Sequence, residues 1–87
     1  VDGLKYLSYP DAMTTHDLDA LGLLCPLPVL KLRKRLGALA PGDCISMRAD
    51  DPAAIVDVPH FCAQAGHTLL ETRDEGPSQV YLVRKGG

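Results

Sequence analysis

The sequence has no long apolar run, no paired-cysteine spacing and no glycine-rich loop, and each lack removes a class of function. No stretch of eighteen apolar residues occurs, and no basic segment followed by an apolar one opens the chain. Neither a membrane span nor a secretion signal is therefore predicted, and a soluble, cytoplasmic protein is expected. Val1 stands where a methionine would begin a chain, which points to a processed or trimmed start. The three cysteines, Cys25, Cys44 and Cys62, include no Cys-x-x-Cys pair. An odd count without that spacing is neither a disulfide framework nor a zinc site, and a reducing compartment suits it. His60 and Cys62 are a weak ligand-like pair at best. Phosphate loops need several glycines between strand and helix, and only Gly22 stands there. No acid pair is placed for hydrolysis. A net charge of -2 and a pI near 5.8 lack the basic excess of a nucleic-acid binder, so tight direct binding to nucleic acid is not expected.

What is present is one 87-residue domain with 46% hydrophobic residues, enough for a small core. The stretch Gly22-Leu23-Leu24-Cys25-Pro26-Leu27-Pro28 organises it. Pro26 suits the first position of a helix, where its missing N–H costs nothing, and Pro28 is still inside the first turn. Cys25 is then at or beside the N-cap, where the helix dipole favours a thiolate. A buried structural cysteine that merely precedes a helix is the equal alternative from these residues alone.

Residues 1–16 read as a loosely ordered extension and 17–87 as the folded domain, with His16 exposed. Asp17 to Leu21 alternates as a half-buried strand, Leu18 and Ala20 facing one way. A helix is predicted from about Pro26 to Ala40, with Val29, Leu32, Leu36 and Leu39 on one stripe and Leu30 widening it. Pro41-Gly42-Asp43 is a turn. Cys44 to Ala49 is a strand with Ile45, Met47 and Ala49 on one face, completing a parallel βαβ unit. Asp51 and Pro52 open a second helix, with a kink or fresh start at Pro59 and a stripe of Ile55, Val58, Phe61, Cys62 and Ala65. Cys62 is predicted to be buried. Gly66 caps the helix. Residues 67–73 and 79–84 form a hairpin across the Asp74-Glu75-Gly76-Pro77 turn.

Several quoted features together resemble the TusA/SirA family of small sulfur-carrier proteins. They are Leu18-Asp19-Ala20-Leu21-Gly22 leading into Cys25-Pro26-Leu27-Pro28, the basic residues near Lys31, and Gly42-Asp43. Asp50-Asp51-Pro52 with Asp57-Val58-Pro59, Phe61-Cys62 and Gly66-His67 follow, and Tyr81 to Gly87 closes the match. The resemblance implies an α/β two-layer sandwich in βαβαββ order, two helices on a four-stranded mixed sheet, in agreement with the periodicity. It implies that Cys25 carries a covalent persulfide and that Cys62 does not. It implies no metal or organic cofactor. It implies a sulfur donor such as a cysteine desulfurase or rhodanese-like protein, and a downstream relay protein as acceptor. Synthesis of tRNA 2-thiouridine is the expected pathway. Sulfur oxidation and molybdenum-cofactor assembly are the alternatives within the family, and a non-enzymatic interaction or regulatory module is the alternative outside it. Leu24 and Leu27 stand where relatives carry a basic residue and a glutamate.

Persulfide transfer is thiol exchange, so access and thiolate fraction govern it. Leu24, Pro26 and Pro28 are expected to shape where the sulfur moves. Four of nine basic residues crowd one helix. Lys31, Lys34 and Arg35 cluster at 100° per residue and are expected to steer an acidic partner toward Cys25, with Arg33 nearer the opposite flank.

Overall fold

The structure is a computed structural model that describes residues 15–87. The expected loose extension lies, for residues 1–14, outside the described residues. The elements are β1 (Thr15–Ala20), α1 (Leu27–Gly37), β2 (Cys44–Ala49), α2 (Ala54–Ala65), β3 (Thr68–Asp74) and β4 (Gln79–Arg84). This is the predicted order of two helices and four strands. The sheet order is β1-β2-β4-β3. β1 and β2 are parallel, and β4 runs antiparallel to both its neighbours.

The two-residue period decides which side chains meet. Leu18 pairs with Met47, and Met47 with Tyr81. These residues, with Ala20, Ile45, Ala49 and Val83, form the buried face of the sheet, and Leu32 and Leu36 of α1 and Ala54, Val58 and Cys62 of α2 pack on it. The other face carries Asp17, Asp19, Ser46, Arg48 and Leu82, at the alternate positions. Cys44 is half-buried on that side, its thiol 3.9 Å from the Gly42 carbonyl oxygen.

Several boundaries and faces differ from expectation. β1 begins at Thr15 because Thr15 and His16 pair with Cys44 and Ile45. His16, expected to be exposed, is half-buried. In α1 the buried residues are Pro28, Leu32 and Leu36, whereas Leu30 is 48% exposed. The narrower stripe reflects a helix that meets the sheet along one line and leaves its flank free. In α2 the buried line is Ala54, Val58 and Cys62. Ile55 is 51% exposed, and Ala65 is exposed. Pro59 does not break α2. It removes one backbone bond, toward Ile55, while buried side chains on both sides hold the helix to the sheet. Gly66 adopts φ 81° and ends α2 as expected, a left-handed conformation that glycine takes without strain.

Candidate functional site

The loop between β1 and α1 is fastened by side chains far along the chain. Gly22 turns at φ 79°, and its amide donates to Asp50 Oδ1 at 3.0 Å. The Cys25 amide donates to Asp51 Oδ2. Asp51 Oδ1 in turn accepts from the Ala53 amide at 3.1 Å, so one carboxylate ties the loop to the turn before α2. The Leu27 amide donates to the Leu24 carbonyl at 2.8 Å, and the Cys25–Pro26 peptide is cis. Pro26 is itself the N-cap, with φ -99° and ψ 16°, and Pro28 occupies the first turn. Cys25 therefore lies directly before the cap, beside it as expected. Likewise Asp51 fastens the turn ahead of α2, and Ala53 takes the N-cap position.

The sulfur meets a second carboxylate. Cys25 is exposed, and its Sγ donates to Asp57 Oδ2 at 3.0 Å. Asp57 lies in the first turn of α2 and is half-buried. The hydrogen bond to Asp57 pushes the Cys25 thiol up from its ordinary range, assisted by partial desolvation and by the charges of Asp57 and Asp51. At rest Asp57 opposes the expected dipole-stabilised thiolate. The helix terminus is a fractional charge, whereas Asp57 is a full negative charge in contact with the sulfur.

Beside the sulfur runs an open groove of about 390 Å³, walled by α1 and α2. Pro26, Val29, Leu30 and Arg33 line it from one side, and Asp57, His60, Phe61 and Gln64 from the other. Both sets follow the i, i+3, i+4, i+7 spacing of a helical face. Each helix thus has two faces at work, one on the sheet and one on the groove. Cys25 and Asp57 lie at the same end.

The predicted site residues separate. Leu24 is 69% exposed beside the cysteine. Pro26 lines the groove, while Pro28 is buried in the core. Lys31 is committed to structure, its Nζ donating to the Asp19 carbonyl oxygen at 2.6 Å. Lys34 and Arg35 lie in the last turn of α1, at the opposite end from Cys25. Arg33, assigned to the far flank by helical angle, is the basic residue on the groove. His60 and Cys62 diverge, His60 exposed on the groove and Cys62 2% exposed in the core, where burial pushes its thiol up. The sequence alone shows no link from Asp50, Asp51 or Asp57 to the cysteine loop. The Asp-Asp-Pro and Asp-Val-Pro runs were the available signal, but nothing in their spacing shows that they reach the loop.

Among the described residues no three His, Cys, Asp or Glu side chains gather as a metal site, and no helix is long and apolar enough to cross a membrane. The fold is similar to that of a SirA-like protein from Desulfitobacterium hafniense, with a TM-score of 0.71 and 22% identity over 82% of this chain and 97% of that one. The family model described as "Sulfurtransferase TusA" matches residues 16–85. That span takes in both helices, all but the first residue of the sheet and the whole aspartate-fastened cysteine loop, so the chain belongs to the TusA sulfurtransferase family of sulfur carriers.

Proposed function

We propose that the protein carries sulfane sulfur on Cys25. A donor persulfide, on a cysteine desulfurase or a rhodanese-like protein, gives its terminal sulfur to the Cys25 thiolate, and the donor leaves as a thiolate. An acceptor protein's thiolate then takes the terminal sulfur of the Cys25 persulfide. Such a relay uses no resident metal or organic cofactor and works in a reducing, cytoplasmic compartment. The pathway we assign is tRNA 2-thiouridine synthesis, with the protein handing sulfur to a relay subunit and making no tight contact with tRNA.

The observation that carries this reading is an exposed Cys25 sulfur at the end of an apolar groove, on a loop whose backbone is fixed by Asp50 and Asp51. A structural cysteine would be expected in the core, where Cys62 is. Incubation with a cysteine desulfurase, cysteine and pyridoxal phosphate should add one sulfur atom by intact mass, and Cys25→Ser should abolish the gain. Undiminished gain in that variant sinks the assignment.

The raised Cys25 thiol favours a second reading, an interaction module whose cysteine does no chemistry. The same mass measurement separates the two, because a module gains no sulfur.

A further inference from the structure

The surroundings of Cys25 are acidic although the helix behind it is basic. Asp50 and Asp51 hold its loop from the turn before α2, and Asp57 takes its thiol hydrogen from α2 itself. Asp19 closes the β1 end, where its side chain accepts from the Leu21 amide. The basic side chains facing it are few. Lys31 is spent on the Asp19 carbonyl, and Arg33 and His60 line the groove. The ion pairs among the described residues join Arg48 to Glu75 and Arg73 to Glu71 and Glu75, none of them at Asp57. Asp57 therefore presents one oxygen to the cysteine and a carboxylate without an ion-pair partner among the described residues to the groove. A segment that enters the groove meets Pro26, Val29, Leu30 and Phe61 and then this carboxylate.

We propose that Asp57 is a lock on the empty carrier, opened by a cationic side chain of the sulfur donor that enters the groove between α1 and α2 and pairs with the Asp57 carboxylate. The inference rests on Cys25 being the sulfur-bearing residue. With Asp57 free, the thiol keeps its proton on the hydrogen bond to Oδ2 and is a poor nucleophile. A lysine or arginine of the donor offsets the negative charge and competes for the carboxylate oxygens. The Cys25 proton then leaves to solvent. The thiolate forms a bond to the terminal sulfur of the donor persulfide, the donor's S–S bond breaks, and its electron pair departs on the donor sulfur. Cys25–S⁻ plus donor–S–SH gives Cys25–S–SH plus donor–S⁻, with no net oxidation. The lock makes the empty carrier sluggish toward stray electrophiles and quick only with a partner of the right charge. The donor surface that meets Cys25 is accordingly apolar with a cation beside its persulfide.

Small disulfides test this on the whole protein, since Cys25–S⁻ plus R–S–S–R gives Cys25–S–S–R plus R–S⁻ by the same attack. The probes are 2-hydroxyethyl disulfide, which is neutral, cystamine, which is dicationic, and dithiodiglycolate, which is dianionic. Asp57→Asn should react faster than wild type with the neutral probe at pH 7, by roughly threefold for each tenfold gain in thiolate, because a less basic thiolate is also a weaker nucleophile. Wild type should prefer cystamine over dithiodiglycolate severalfold, and Asp57→Asn should lose most of that preference. Glu71→Gln, which makes the same charge change elsewhere on the surface, should behave as wild type. Should Asp57→Asn fold poorly, Asp57→Ser, which removes the same charge, takes its place, and added salt must shrink the wild-type charge preference. Equal neutral-probe rates in wild type and Asp57→Asn, or a preference that salt leaves intact, overturn the lock. Sulfur uptake that survives Cys25→Ser instead sinks the carrier assignment, while the disulfide rates still test the role of Asp57 by themselves.

Discussion

His67 Nδ1 accepts a hydrogen bond from the Gly86 amide at 3.0 Å, joining the end of α2 to the end of the chain. The acceptor nitrogen must carry no proton. Partial burial and the charge of Lys85 hold the His67 pKa below its ordinary 6.5. The unfolded chain therefore binds a proton more readily than the folded one, so stability rises with pH through this window. The contribution is complete above 6.5 and is lost as pH falls through the lower folded value. Thermal melts between pH 7 and 5 should show this decline, and His67→Phe, which removes the titrating ring, should flatten it.

Gly86 has no room for a side chain. A Cβ there would collide with the carbonyl oxygen of Gly66, whereas Gly87 meets nothing. Gly86→Ala should displace the tail, break the bond to His67 and cost about 1–3 kcal/mol, the usual range for overpacking. Gly87→Ala should be neutral. Urea denaturation of the two variants provides the comparison, and equal midpoints would show that the tail does not grip the helix end.

Cys25 is exposed and Cys62 is 2% exposed. Iodoacetamide should therefore modify Cys25 well before Cys62 in folded protein, even though both thiols are raised. The Cys25 rate should climb steeply above neutral pH as the thiol ionises against Asp57. Mass mapping of the labelled sites gives the order, and simultaneous labelling in a folded sample would contradict the placement of Cys62 in the core.

The basic residues of α1 should divide into two groups. Lys34 and Arg35 stand at the far end of α1 from Cys25, where an acidic patch of the donor would meet them apart from the cation that pairs with Asp57. Reversing both should therefore slow sulfur uptake at limiting donor by up to about tenfold and reduce its salt dependence, without changing the fold. Lys31→Met should instead lower stability by about 1 kcal/mol, because it removes the donor to the Asp19 carbonyl. Transfer kinetics paired with melting temperatures distinguish them. A Lys31→Met variant as stable as wild type would return that residue to the steering group.

The architecture was legible because its elements announce themselves locally. Ile45, Met47 and Ala49 alternate, and β2 and β4 have the predicted bounds. Proline and glycine mark the ends. The second face of each helix was not legible, since Leu30 and Ile55 are apolar and periodicity alone sends them to the core. Both are half-exposed, Leu30 on the groove wall. The electrostatic sign at the cysteine was also hidden. The Cys-Pro-x-Pro run specifies a helix start, which favours a thiolate. The Asp57 carboxylate that reverses this is thirty-two positions further along, and only the folded chain brings the two together.

The long reach of those hydrogen bonds means that the cysteine loop is not a portable motif. A fragment ending after β2 would keep Gly22 to Pro28, the whole βαβ unit and the sulfur, yet contain neither Asp51 nor Asp57. Its thiol would lack both carboxylates that raise it. Grafting Cys-Pro-Leu-Pro onto another parallel scaffold would move the nucleophile without its chemistry, and exchange between relatives must carry residues 50–57 along with the loop. Substitutions in these two segments are therefore expected to covary, as if the chain kept one site in two separate places.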